Sequence, residues 1–126
     1  MDAWTDGGDG GMRVDPIVER LVGEYVVTQL LLKALDHDCK QAAEMKMGKV
    51  LADWLYQLAL KAEREHVDVK RSLRFRQCKI VLQQYEPGPL LHVMYVYRNY
   101  EYHCRWMIPL LKARCESKLR IWLQPA

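Results

Sequence analysis

Four cysteines (Cys39, Cys78, Cys104 and Cys115) and four histidines (His37, His66, His92 and His103) are the side chains best suited to metal binding or nucleophilic chemistry. The cysteines show no C-x2-C spacing, and no histidine supplies the close partner of a zinc module, so no metal site is expected. Glu63 and His66 form one Glu-x-x-His, which puts a carboxylate and an imidazole on one helical face. A di-iron bundle needs two such pairs and two more glutamates, and a second copy is missing. His37 beside Asp38 resembles part of a phosphohydrolase ligand set, but no histidine precedes it to complete that set.

Cys104 follows His103 directly, the most obvious nucleophile and base. Neighbours on a strand point to opposite faces, so this imidazole is badly placed to deprotonate this thiol, and a buried cysteine is the simpler expectation. Four thiols in a chain that starts with Asp2, Asp6 and Asp9, unlike a signal peptide, suit a reducing cytoplasm. Gly7, Gly8, Gly10 and Gly11 precede a helix, yet no strand leads into them and no Walker lysine follows. Ser72 and Ser117 lie outside any nucleophile-elbow sequence. No catalytic constellation and no cofactor site emerges.

Charge is more informative. The formal net charge is only +3, but residues 1–69 hold eight Lys/Arg against thirteen Asp/Glu, and residues 70–126 hold eleven against three. The second part is therefore strongly basic, at net +8. Lys70, Arg71, Arg74, Arg76 and Lys79 form a run, and Arg98 and Arg105 follow among Tyr95, Tyr97, Tyr100 and Tyr102. Cations with interleaved aromatics can hold single-stranded nucleic acid, the cations on phosphates and the rings on bases. These seven cations are the candidate anion or nucleic-acid contacts. The competing expectation is that the tyrosines form one face of a sheet packed on helices, and that acidic helices neutralise basic strands.

The elements that would position these groups follow from local patterning. Half of the 126 residues are hydrophobic and 28% are charged, which suits one globular domain and excludes a disordered chain. Residues 1–14 read as a flexible lead and 15–126 as a single α+β domain. Asp15 before Pro16 marks a helix start, and the apolar residues from Ile17 to Leu35 cover more than one stripe. Asp36, His37 and Asp38 are expected to close that helix. A second, antiparallel helix is expected from near Lys40 into the low seventies, its core face made by Met47, Val50, Leu51, Trp54, Leu55, Leu58 and Ala62.

From Cys78 the period changes to two, and the run ends at Pro87, Gly88 and Pro89, a turn. Leu90 to Tyr97 reads as the returning strand. Arg98 and Asn99 turn into a third strand over Tyr100 to Met107, for which the alternative is part of a bent C-terminal helix. Pro109 opens the last helix, with Leu110, Leu111, Cys115, Leu119 and Trp122 on its inner face. The order is α-α-β-β-β-α, with a small antiparallel sheet of two to three strands.

No run of apolar residues is long enough to span a membrane. The sequence thus predicts a soluble, cytoplasmic, non-catalytic interaction protein. The broad apolar surface of the first helix points to a homo-oligomer, a dimer by default. A protein partner or nucleic acid is the further expectation, the latter through the basic, tyrosine-rich second half.

Overall fold

The computed structural model describes residues 14–124, so the expected N-terminal lead lies almost wholly outside the described residues. The elements are α1 (Pro16–Ala42), α2 (Gly48–Phe75), β1 (Cys78–Glu86), β2 (Leu90–Tyr97), β3 (Tyr100–Met107) and α3 (Ile108–Leu123). The α+β class and the element order are those expected. The region from Tyr100 to Met107 is a strand and not part of the last helix.

Asp15 starts α1 by accepting hydrogen bonds from the backbone N–H groups of Ile17, at 2.9 Å, and Val18, at 3.4 Å. Its other carboxylate oxygen accepts from the Tyr97 hydroxyl at 3.0 Å, which ties the helix start to the end of β2. Contrary to expectation, α1 does not stop near Leu35. Asp36, His37 and Asp38 stay helical, and the Lys40 ammonium meets the Asp36 carboxylate one turn earlier at 3.2 Å. The turn lies instead at residues 43–47, so α2 begins at Gly48 and not near Lys40. Gly48 is dictated by the tightness of that turn. A Cβ there would lie 1.8 Å from the Ala42 carbonyl oxygen, so no larger residue fits without moving backbone.

The strands form one antiparallel sheet in the order β1-β2-β3. Arg98 and Asn99 both adopt positive φ, at 55° and 66°, the two-residue turn whose twist matches a β-hairpin. It sets the register in which Tyr97 faces Tyr100 and Leu90 faces Met107. Alternation then divides the faces. Leu91, Val93, Tyr95, Tyr97, Tyr102, Cys104 and Trp106 are buried against Val18, Val22, Val26 and Val27 of α1, with Leu73 of α2 and Leu111 of α3. Strict alternation fails in β1, where a register shift between Ile80 and Leu82 changes the faces beyond it.

A second cluster joins Leu31 and Leu35 of α1 to Leu58 and Ala62 of α2, with Leu119 and Trp122 of α3 packed against it. The expected inner face of α2 is only half right. Leu58 and Ala62 are buried, but Met47 is 79% exposed, Val50 73% and Trp54 48%. Leu55 and Ala59 pack against this cluster and Leu51 is half-buried, whereas Met47, Val50 and Trp54 face solvent. Leu110 of α3 is likewise exposed.

Charged side chains stitch the three helices together. Lys118 of α3 reaches Glu24 of α1 at 2.8 Å and Glu65 of α2 at 2.9 Å, and Arg114 meets Glu24 at 3.1 Å. Burial opposes the Lys118 charge, but the two carboxylates outweigh it and raise its pKa. A polar contact also lies inside. Thr28, fully buried, approaches the Glu24 carbonyl at 2.8 Å and His66 Nδ1 at 2.7 Å. The hydroxyl has one proton; donated to that carbonyl, it leaves the oxygen to accept from the imidazole N–H.

Burial, and then the Lys70 ammonium, hold the His66 pKa below its ordinary value. The unfolded chain therefore binds a proton there that the folded chain resists, so stability falls as pH drops through about 6.5. Chemical denaturation at neutral and mildly acidic pH checks this. His66→Gln should lose less stability on acidification than the parent, and an unchanged acid slope would contradict the assignment.

Candidate functional site

The C-terminal end of α2, the start of β1 and the β2–β3 turn meet at one end of the molecule, because Cys78 pairs with Tyr97 in the ladder. Six of the seven candidate cations arrive there in sequence: Lys70, Arg71, Arg74 and Arg76 from the last turns of α2, Lys79 from β1 and Arg98 from the turn. Lys70, Arg74 and Lys79 line one open cleft of about 550 Å³, together with Tyr25, Leu73, Gln77, Cys78 and Ile80. The cleft thus has an apolar floor and a cationic rim. Lys70, Arg74, Arg76, Lys79 and Arg98 form no ion pair with any described carboxylate, whereas Arg105, Arg114 and Lys118 are all paired.

Arg76 lies close enough to Asp15 to act on its carboxyl. Burial opposes ionisation there, yet bonds from Tyr97, Ile17 and Val18 together with the Arg76 charge leave its pKa lowered. Arg98 spreads its guanidinium over the Tyr97 ring, 5.1 Å from the centroid. Gln77, next to Cys78, takes φ 59°. Gln77 and Arg98 therefore hold left-handed backbone, at positions where glycine or asparagine is usual, beside each other at this end. Both follow from local geometry: Gln77 stands just past the C-cap of α2, its N–H donating to the Arg74 carbonyl at 3.0 Å, and Arg98 is the first residue of the hairpin turn.

Four of the candidate cations do not line the cleft: Arg76 and Arg98 stand at the same end outside its lining, and Arg71 and Arg105 point elsewhere. Arg71 turns to a different face, where it meets Asp68 at 3.3 Å, with both side chains largely exposed. Arg105 lies towards the opposite end of the hairpin, on the outer sheet face, with its Nε 3.1 Å from Glu86. Nor do the tyrosines form the stacking platform. Tyr95, Tyr97 and Tyr102 are buried, and Tyr95 stacks on Tyr102 with centroids 5.2 Å apart. Only Tyr100 of that row is exposed. Sheet alternation points the row inward against α1, so the cleft offers cations without a row of exposed rings.

The remaining chemistry-bearing residues stay apart. His66 is turned inward to Thr28, while Glu63 borders a shallow surface with Leu60, Arg64 and Val67. Cys104 is buried on the helix side of β3, and His103 is half-buried on the other side. Burial raises the Cys78 thiol to about 11, which keeps it protonated and unreactive. Cys115 is raised by burial too, and its thiol donates to the Val27 carbonyl at 3.6 Å. Among the described residues no group of three or more His, Cys, Asp or Glu is placed to hold a metal ion. No described helix is long and apolar enough to cross a membrane.

Sequence reasoning missed two features. One is the exposed apolar tip of the helical hairpin, where Met45, Met47, Val50, Leu51 and Trp54 border a surface hollow of about 520 Å³. The other is a chain of hydrogen-bonded side chains on the outer face of the sheet, in which His92 Nε2 and His103 Nδ1 are 2.8 Å apart. The hairpin register carries its signal: Arg105 faces His92 and Met94 faces His103, which makes the two histidines diagonal neighbours on one face.

Comparison with known proteins gives one result. No curated protein and no solved structure matches the chain. The model of the family described as YhjD protein matches residues 16–126, all the elements from α1 to α3, and the chain is thereby a member of the YhjD family.

Proposed function

We propose that this chain is a small, non-catalytic, cytoplasmic interaction protein that holds a phosphate-bearing polyanion, nucleic acid, at its basic end. One observation carries the reading: Lys70, Arg74 and Lys79 converge on a single cleft without an ion pair to any described carboxylate. Burial of Tyr95, Tyr97 and Tyr102 favours backbone contact over base stacking, and with it binding that depends little on sequence. The test is fluorescence anisotropy of labelled DNA and RNA at about 50 mM salt. Changing Lys70, Arg74 and Lys79 together to glutamine should weaken binding by about tenfold or more while the far-UV spectrum and melting temperature stay unchanged. Undiminished binding by the folded triple variant would remove the cleft from the interaction.

A second reading rests on a different surface. The apolar tip formed by Met45, Met47, Val50 and Trp54 supports self-association, since monomeric proteins rarely expose large apolar side chains in a contiguous group. A second copy offers the same surface, and a two-fold contact would bury both at once. Light scattering at micromolar concentration should then give the mass of a dimer, and Val50→Glu with Trp54→Glu should give a monomer. A monomeric parent protein would end this reading.

A further inference from the structure

On the outer sheet face, turned away from the helices, five side chains form a continuous row from β3 to the end of β1. Glu101 Oε2 lies 2.8 Å from His103 Nε2, and His103 Nδ1 lies 2.8 Å from His92 Nε2. His92 Nδ1 lies 3.3 Å from Glu86 Oε2, and the other Glu86 oxygen accepts from Arg105 Nε at 3.1 Å. The two rings are 17° from coplanar with centroids 5.0 Å apart. With their nitrogens so close they meet edge to edge, the geometry of an N–H···N hydrogen bond and not of a face-on stack.

Counting protons defines the state that this geometry satisfies. The contact of His103 with Glu101 requires a hydrogen on Nε2, the contact of His92 with Glu86 is attractive only with one on Nδ1, and the contact between the rings requires one more. Three positions need three protons. Two neutral imidazoles supply two, so the satisfied pair carries one additional proton and a single positive charge between two carboxylates. A fourth proton would set two N–H groups against each other across 2.8 Å. Two adjacent imidazoliums, one 10% exposed, would then face each other beside the Arg105 guanidinium.

We infer that His92 and His103 form a pH-sensitive latch, closed when the two rings share one additional proton and opened when a second one enters. Closed, it ties β2 to β3 and, through Glu86, holds the end of β1 against both. The charged groups that meet the rings are Glu86 from β1 and Glu101 and Arg105 from β3; Lys79 stands across Val96 from Glu101 in the ladder. Burial, then Arg105, with His103 acting in the same sense and Glu86 against it, keep the His92 pKa below its ordinary value. The second proton therefore enters only on the acidic side of the usual imidazole range. His103 is the more solvent-exposed ring of the two, at one-third.

Imidazole 15N shifts followed by NMR from about pH 8 to about pH 4.5 test the latch. In the parent protein both rings should respond together to a first step, and the second step should lie lower by more than about one pH unit, as coupled sites do. Exposed His37, outside the row, serves as the reference. His103→Gln should reduce the response of His92 to one step. Glu101→Gln, which leaves both rings in place, should move the first step to lower pH. Amide exchange in β2 and β3 should rise across the second step relative to the α1 amides. Two independent single-step titrations, unaltered at His92 by His103→Gln and unmoved by Glu101→Gln, would overturn the inference.

Discussion

The fold depends on burying α1 against two neighbours at once. Its first half lays Val18, Val22, Val26 and Val27 on the sheet, and its second half lays Leu31 and Leu35 between α2 and α3. Fully burying side chains of this kind contributes roughly 1.5–3 kcal/mol each, so displacing α1 would cost about as much as a small domain's whole stability. The ion pairs of Glu24 with Lys118 and Arg114 tie α3 to that helix. Gly23 leaves room for the Arg114 guanidinium, which a Cβ there would approach to 3.3 Å. The outer sheet face, the solvent side of the first turns of α2 and the cationic rim of the cleft stay open.

That arrangement resolves the charge asymmetry unevenly. Acidic helices do neutralise basic elements where α3 crosses α1 and α2, and Glu86 neutralises Arg105. At the C-terminal end of α2 no such partner is supplied by any described residue, so the field of Lys70, Arg74 and Lys79 reaches solvent. Cations also complement the negative end of a helix dipole, and Arg74 stands in the last turn of α2. Dipole complementation does not explain Lys79, which comes from a strand.

Much of the architecture was legible because local signals agreed with the tertiary result. Asp15 with Pro16, the two prolines around Gly88, and Arg98 with Asn99 each force a boundary whatever packs nearby. The end of α1 was not legible, since three polar residues read equally well as a turn or as the solvent face of a continuing helix, and Gly48 decided the matter through a close approach invisible in sequence. Met47, Val50 and Trp54 repeat at helical spacing, but spacing reports a face and not what covers it. The cations were identified by type; that Arg71 and Arg105 point elsewhere depends on helix phase and hairpin register. The tyrosine row was read with the correct parity, and the structure decides that its face turns inward.

The central claim is that three unneutralised cations act together on phosphates. Its most direct measurement is the affinity of the parent protein for a DNA duplex as a function of salt. Three released counterions give a slope of log K against log salt of about −2.7, or about a 40-fold loss between about 50 and 200 mM. Binding with that slope supports the cleft as a phosphate site. Salt-insensitive binding, or none at the lower salt, would contradict it.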